Sequence, residues 1–144
     1  MMITKKTTTI VFIGILITAW LAVFLTQVEA QTADKQKQAL IGEWRSGVWP
    51  GHHGDTSTLI IHEIDAAKAK ARCTYIVNQT DSGKSEHEVL ADFFPGPNPK
   101  LEFKARGNEY KCVLKNKVLE LSFVGSSRGV PTSNTTRMEK YPKK

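Results

Sequence analysis

The sequence contains none of the short motifs that mark the common enzyme classes. It has no Gly-x-Ser-x-Gly elbow, no His-Glu-x-x-His zinc motif, no phosphate-binding P-loop and no dinucleotide fingerprint. A catalytic site can also be assembled from residues that are distant in sequence, so these absences lower the odds of an enzyme without excluding one. We therefore expect a function that is not catalytic and that needs no cofactor.

A cluster of aromatic and basic residues of the kind that binds nucleic acids is missing as well. The 144-residue chain carries 20 Lys and Arg against 14 Asp and Glu, a formal net charge of +6. Many lysines alternate with apolar residues between positions 100 and 117. We interpret them as the solvated face of a sheet, where they also discourage edge-to-edge aggregation, and we expect no nucleic-acid partner.

No segment has the length and helical period of a crossover helix, which argues against a parallel sheet. Apolar residues instead recur at every second position, the period of β-strands. Eight such segments are joined by hairpin-length links, at residues 40–49, 56–65, 68–78, 87–94, 100–106, 109–115, 118–125 and 135–141. Because closure removes free strand edges, we predict an all-β, eight-stranded antiparallel up-and-down barrel. A two-sheet β-sandwich is the alternative.

Residues 1–30 have the organisation of a secretory signal peptide. Lys5 and Lys6 form a positive start, residues 10–25 form an apolar run, and Val-Glu-Ala at 28–30 has the small-x-small pattern of a cleavage site. Cleavage would release an exported protein, either periplasmic or secreted. The alternative is an uncleaved anchor, in which residues 10–28 hold the protein to the membrane.

The rest of the sequence divides into a short lead and one domain. Residues 31–39 are polar and form either a frayed start or a short helical turn. Residues 40–144 are long enough for a single β-barrel domain with one core. We find no internal repeat.

The first and last predicted strands carry a Gly-x-Trp sequence, Gly42 to Trp44, and Arg137. These residues resemble the pattern of the lipocalin and avidin superfamily of small calycin-type barrels, in which a glycine-x-tryptophan opens the first strand. In lipocalins an arginine near the C-terminus packs across that tryptophan. The resemblance implies that Trp44 closes one end of the barrel and that Arg137 covers its ring by a cation–π contact. The resemblance predicts the fold more directly than the function.

The two cysteines, Cys73 and Cys112, fall on inward faces of the third and sixth predicted strands. Disulfides persist in exported proteins, so we predict that these residues pair. A geometric objection stands against the pairing. The two strands are not neighbours, and facing sheets lie about 10 Å apart, whereas a disulfide needs Cα atoms within roughly 7 Å.

Aromatic residues at alternate positions form the best candidate for a binding site. They either fill the core or line a pocket for an apolar or amphipathic molecule, since eight-stranded barrels are at the margin between filled and hollow. His62 joins them if its neighbours at 60 and 64 face inward, and it lies outside if those at 59 and 61 do. The candidate ligand-binding residues are Trp44, Trp49, His62, Tyr75, Phe103, Tyr110 and Phe123.

The loop after the first strand contains His52, His53 and Asp55, which are weak candidates for metal ligands. Adjacent side chains seldom reach one ion, and a third ligand would have to come from elsewhere, so we expect a polar loop and no metal.

We predict an exported β-barrel protein that binds a small apolar or amphipathic molecule at the barrel mouth, near Trp49. One alternative is an envelope or surface protein-interaction domain with a filled core and no ligand. A small metal-dependent hydrolase is less favoured. The sequence leaves the oligomeric state open.

Overall fold

The computed structural model describes residues 27–28, 31–50, 54–127 and 130–142. Residues 31–40 form a helix, α1, so the polar lead is helical. Eight strands follow: β1 Gly42–Ser46, β2 Thr56–Asp65, β3 Lys70–Gln79, β4 Gly83–Phe94, β5 Lys100–Ala105, β6 Asn108–Lys115, β7 Val118–Ser127 and β8 Val130–Lys140. No helix in the described part of the chain has the length and hydropathy of a transmembrane span. The predicted export segment falls almost entirely outside the described residues.

The strands form a closed barrel in which each pairs with the next and β8 returns to β1, all antiparallel. The predicted eight-stranded up-and-down barrel is therefore confirmed. Two strands begin well before their predicted first residues. One is β8, which begins at Val130 and not at Thr135. The other is β4, which begins at Gly83 and not at His87. Its polar first residues pair with β3 throughout, from Gln79 opposite Gly83 onward, because a cross-strand partner outweighs weak local strand propensity.

Side chains fill the end of the barrel where β1 starts and β8 finishes, which we call the base. Trp44 is 1% exposed there, and its Nε1 donates a hydrogen bond to the carbonyl oxygen of Leu40 at 2.8 Å. Leu40, at the end of α1, is fully buried. Trp44 is therefore a buried core residue of the base.

Among the described residues, the cation over the Trp44 ring is Lys140 and not the predicted Arg137. Lys140 Nζ lies 5.4 Å from the ring centroid and donates to the carbonyl oxygen of Ala39 at 2.9 Å. Side chains alternate along β8, so Met138 and Lys140 share the inner side while Arg137 is exposed on the outer face opposite Glu120. Gly42 has φ +132°, a backbone conformation that residues with a Cβ rarely adopt, so a substitution there would be strained.

A β-bulge in β2 decides the position of His62. Ile61 pairs with Cys73, and the next paired residue is Glu63, so His62 is the extra residue. The bulge resets the alternation, which lets Leu59, Ile61 and Ile64 all be buried. His62 is exposed on the outer face, which is the outward one of the two alternatives that the sequence left open, so it does not line the interior with the other candidate ligand-binding residues.

The ladder between β4 and β5 is short and leaves a gap in the barrel wall, which we call the seam. It consists of three residue pairs, from Asp92 opposite Glu102 to Phe94 opposite Lys100. Residues 83–91 of β4 have partners in β3 but none in β5. The seam extends from these pairs toward the end of the barrel opposite the base.

The predicted disulfide is wrong, because Cys73 and Cys112 are both free and fully buried. They lie on β3 and β6, which are not adjacent in the barrel. Burial raises the pKa of Cys73 to about 12, with a smaller contribution from the charge of Glu88. The pKa of Cys112 is also raised well above its usual range, mainly by burial.

Two of the described hairpin turns have two successive residues in the left-handed region: Arg106 at φ 53° and Gly107 at 76°, and Asn116 at 48° and Lys117 at 66°. Both turns have the type I′ sign pattern, which favours Asn-Gly. We expect Lys117→Gly to raise the free energy of unfolding by about 0.5–1 kcal/mol, since glycine adopts this conformation without a Cβ clash.

Urea unfolding measures this gain, and Lys117→Ala is its control. That variant removes the same charge but keeps the Cβ, so it should not be stabilised. Equal stabilisation of both variants would attribute the effect to charge and contradict the prediction.

Candidate functional site

The end of the barrel opposite the base, which we call the mouth, opens into a cleft of about 460 Å³. The filled base ends where the aromatic residues of β3, β6 and β7 begin. The described residues that line the cleft are Trp49, Asp55, Ser57, Tyr75, Val77, Gln79, Arg106, Asn108, Tyr110, Phe123, Thr132, Ser133 and Asn134.

Four aromatic residues form the floor of the cleft. The rings of Trp49 and Phe123 meet edge to face, with centroids 5.4 Å apart. Tyr110 links this pair to Tyr75, with centroid distances of 5.9 Å to Phe123 and 4.7 Å to Tyr75. Such tilted and edge-to-face contacts add to the stabilisation from burial and hold the rings in place. The floor is therefore an apolar surface of fixed shape.

A buried hydroxyl orients two of these rings. Trp49 Nε1 donates to Ser57 Oγ at 2.8 Å, and Ser57 Oγ lies 3.0 Å from the hydroxyl of Tyr75. Ser57 is 1% exposed, so the three polar groups satisfy one another away from water. Burial raises the pKa of Tyr75 well above its usual range, and the phenol stays protonated at neutral pH.

The rim of the cleft is polar and its side chains are tied together. Arg106 Nη2 donates to Gln79 Oε1 at 2.8 Å, and Ser82 Oγ donates to the same oxygen at 2.8 Å. Asp55 Oδ1 accepts the backbone N–H of Thr80 at 3.1 Å. These bonds connect the turn after β5 and the loop before β2 to the β3–β4 hairpin, so they hold the mouth in one shape.

The cleft brings together four of the seven predicted ligand-binding residues: Trp49, Tyr75, Tyr110 and Phe123. Phe103 lies beneath it, 5% exposed, and stacks on Tyr110 with an interplanar angle of 11°. Trp44 belongs to the base. His62 is on the outer wall, where its Nε2 lies 2.7 Å from Thr74 Oγ1, which in turn donates to Glu88 Oε1.

The metal candidates divide between described and undescribed residues. Asp55 is on the rim, whereas His52 and His53 lie outside the described residues. Within the ranges that the structure describes, no group of three or more His, Cys, Asp or Glu residues could hold a metal ion.

Sequence reasoning missed the polar residues of the cleft. The position of Ser57 could have been predicted, because it lies on the same side of β2 as the apolar residues Leu59 and Ile61, and that side faces inward. Arg106 and Asn108 flank the glycine of a hairpin turn, and nothing local distinguishes them from ordinary turn residues.

No protein-family model, no curated protein and no solved structure matches this chain. The resemblance to lipocalins and avidins at Gly42 and Trp44 therefore stays a prediction.

Proposed function

We propose that this protein is an exported binding protein that holds a small apolar or amphipathic molecule in the cleft at the barrel mouth. The observation that carries the proposal is the division of the barrel interior. The base is filled by side chains such as Trp44, Leu119 and Met138, all at most 1% exposed, whereas the mouth keeps an open space above an aromatic floor. A barrel that served only as a scaffold would need no such space.

The size and lining of the cleft fit this class of ligand. Its 460 Å³ lies within the range of about 300–1,000 Å³ that is typical of small-molecule sites. The tilted rings of Tyr75, Tyr110 and Phe123 offer faces and edges to an aliphatic chain or a flat ring. The polar groups of Trp49, Ser57 and Tyr75 at the floor are bonded to one another, whereas the polar side chains of the rim can fix the orientation of an amphipathic molecule.

We propose binding rather than catalysis because the polar groups at the floor are engaged with one another. Ser57 accepts the indole N–H of Trp49 and contacts the Tyr75 hydroxyl. Ser57 is also only 1% exposed, so its hydroxyl is not presented to a molecule in the cleft as a nucleophile would need to be.

A neutral lipophilic dye, Nile red, tests the proposal. We expect a saturable increase in its emission as the protein takes it up. The variant Phe123→Ala should weaken the affinity by about tenfold, because it removes one side of the floor and the corresponding apolar contact of roughly 1–2 kcal/mol.

Phe94→Ala is the matched control for this titration. Phe94 is a partly exposed phenylalanine at the base end of β4, outside the cleft. It should leave the dye affinity unchanged. A dye signal that does not saturate, or equal losses in the two variants, would contradict the proposed site.

A second candidate function uses the outer wall. Leu90 and Val124 are 66% and 57% exposed, and they border a groove of about 560 Å³ beside the seam. Exposed apolar side chains around a groove are typical of protein-interaction surfaces. Light scattering that shows oligomers or complexes, together with no dye binding, would favour this candidate.

A further inference from the structure

We propose that the ligand of the mouth cleft is an anion, and that Arg106 determines this specificity by binding its acidic head group. The inference rests on the proposed function and adds the sign of the ligand's charge. An amphipathic carboxylate with an aliphatic or aromatic body has this chemistry. Its apolar part would lie on the aromatic floor and its carboxylate at the rim.

The guanidinium of Arg106 is positioned at the rim by its neighbours. One N–H of the group is held by Gln79 Oε1, which Ser82 Oγ also anchors. Arginine carries several N–H donors in a planar fork that matches the two oxygens of a carboxylate. The bond to Gln79 uses one of them and fixes the plane, so the others are available above the cleft.

The carboxylate of Asp55, on the same rim, has a structural role. Asp55 Oδ1 accepts the backbone N–H of Thr80, and this bond ties the loop before β2 to the β3–β4 hairpin. Asp55 therefore serves the shape of the mouth, while Arg106 presents donors to the cleft. The net charge of +6 also favours the approach of an anion over that of a cation.

The turn between β5 and β6 places Arg106 beside the cleft, of which it is a lining residue. Its φ of 53° is in the left-handed region, as is that of Lys117 in the turn between β6 and β7. This conformation is a property of the turn type, so the two residues can be compared directly as variants.

Three probes of equal chain length and different head groups test the proposal: decanoate, decan-1-ol and decylammonium. We expect the wild-type protein to bind decanoate about tenfold more tightly than decanol, and decylammonium most weakly. The tenfold figure corresponds to a charge-assisted hydrogen bond at a partly solvated rim. Calorimetry or displacement of Nile red measures the three affinities.

Arg106→Asn should remove the preference for decanoate and leave the affinity for decanol unchanged. It creates an Asn-Gly turn, so we expect this variant to be at least as stable as the wild type. Arg106→Gln also removes the charge, but it changes the backbone preference of the turn less than Arg106→Asn does. It should lose the preference for decanoate as well.

Lys117→Gly is the matched control. It also removes one positive charge from a left-handed position and also creates an Asn-Gly turn, but that turn joins β6 to β7 at the base. It should keep the full preference for decanoate. Equal losses in Arg106→Asn and Lys117→Gly would show a general effect of net charge and overturn the proposal.

The remaining outcomes separate this inference from the proposed function. If the protein binds Nile red and decanol but does not prefer decanoate, the cleft is a binding site and the role of Arg106 is wrong. If neither the dye nor any of the three probes binds, both proposals fail.

Discussion

Stability is expected to fall steeply above about pH 9, because buried thiols keep their protons in the folded protein and lose them in the unfolded chain. The pKa of Cys73 rises from an ordinary value near 9 to about 12. Between these two values the unfolded state binds fewer protons, so the free energy of unfolding drops by about 1.4 kcal/mol per pH unit for this group. The stabilisation is complete below pH 9, and roughly 4 kcal/mol is lost by pH 12.

Two further groups add to this alkaline loss. Burial raises the pKa of Cys112 and that of Tyr75 in the same direction. The Cys112 contribution begins near the ordinary thiol pKa, and that of Tyr75 begins near pH 10, the usual phenol value. Guanidinium unfolding curves at a series of pH values from 8 to 11 would measure the combined slope.

The double variant Cys73→Ala with Cys112→Ala is the control for this prediction. It should be less stable than the wild type at pH 7, because two buried sulfur atoms are removed. Its stability should nevertheless fall much less between about pH 9 and 10, where the thiols make the largest contribution to the expected loss. An unchanged slope in this variant would show that other groups cause the alkaline loss. A disulfide between Cys73 and Cys112 would remove both titrating thiols. The slope of the free energy of unfolding against pH therefore also indicates whether the two cysteines are free.

Trp44→Ala is expected to lower the free energy of unfolding by about 3–5 kcal/mol, the range for removing a large buried aromatic side chain. The indole is enclosed by the barrel wall, and Leu40 and Lys140 cover it at the base. Because the strands around the indole belong to a closed ladder, they cannot collapse fully into the space. The carbonyl oxygen of Leu40 also loses its donor. Urea unfolding measures the loss.

Trp49→Ala is the matched comparison, since it removes the same side chain from the mouth. Trp49 is 5% exposed, but it borders the open cleft, so its removal enlarges a space that water already reaches. We expect a smaller loss of stability than for Trp44→Ala. Equal losses would contradict the division of the interior into a filled base and an open mouth.

The period-two pattern of the sequence was sufficient to predict the barrel, because every hairpin is local and its turn residues are adjacent to the strands that they join. The bounds of β2 match the predicted segment, and the turn at Asn116 and Lys117 occupies the predicted link between strands 109–115 and 118–125. The turn at Arg106 and Gly107 lies one residue before the predicted link at 107–108. The start of β4 was missed, since its strand character comes from pairing with β3 and not from its own polar residues.

The site was harder to predict because it depends on side-chain direction. The β-bulge at His62 reverses which alternate side chains of β2 face inward. No residue type in this segment predicts a bulge. Which cation lies over the Trp44 ring depends on whether residue 137 or residue 140 of β8 points inward. The resemblance to lipocalins did not predict that direction correctly. The cleft needs Arg106 and Gln79, which are far apart in sequence and meet across the mouth.

The seam between β4 and β5 gives the rim contact between Arg106 and Gln79 a structural consequence. Residues 83–91 of β4 have no paired residues in β5, so the backbone ladder does not join the two strands along this part of the wall. Gln79 ends β3 and Arg106 follows β5, so the hydrogen bond between them crosses the seam. At this point of the wall, the shape of the mouth depends on a side-chain hydrogen bond and not on the backbone ladder.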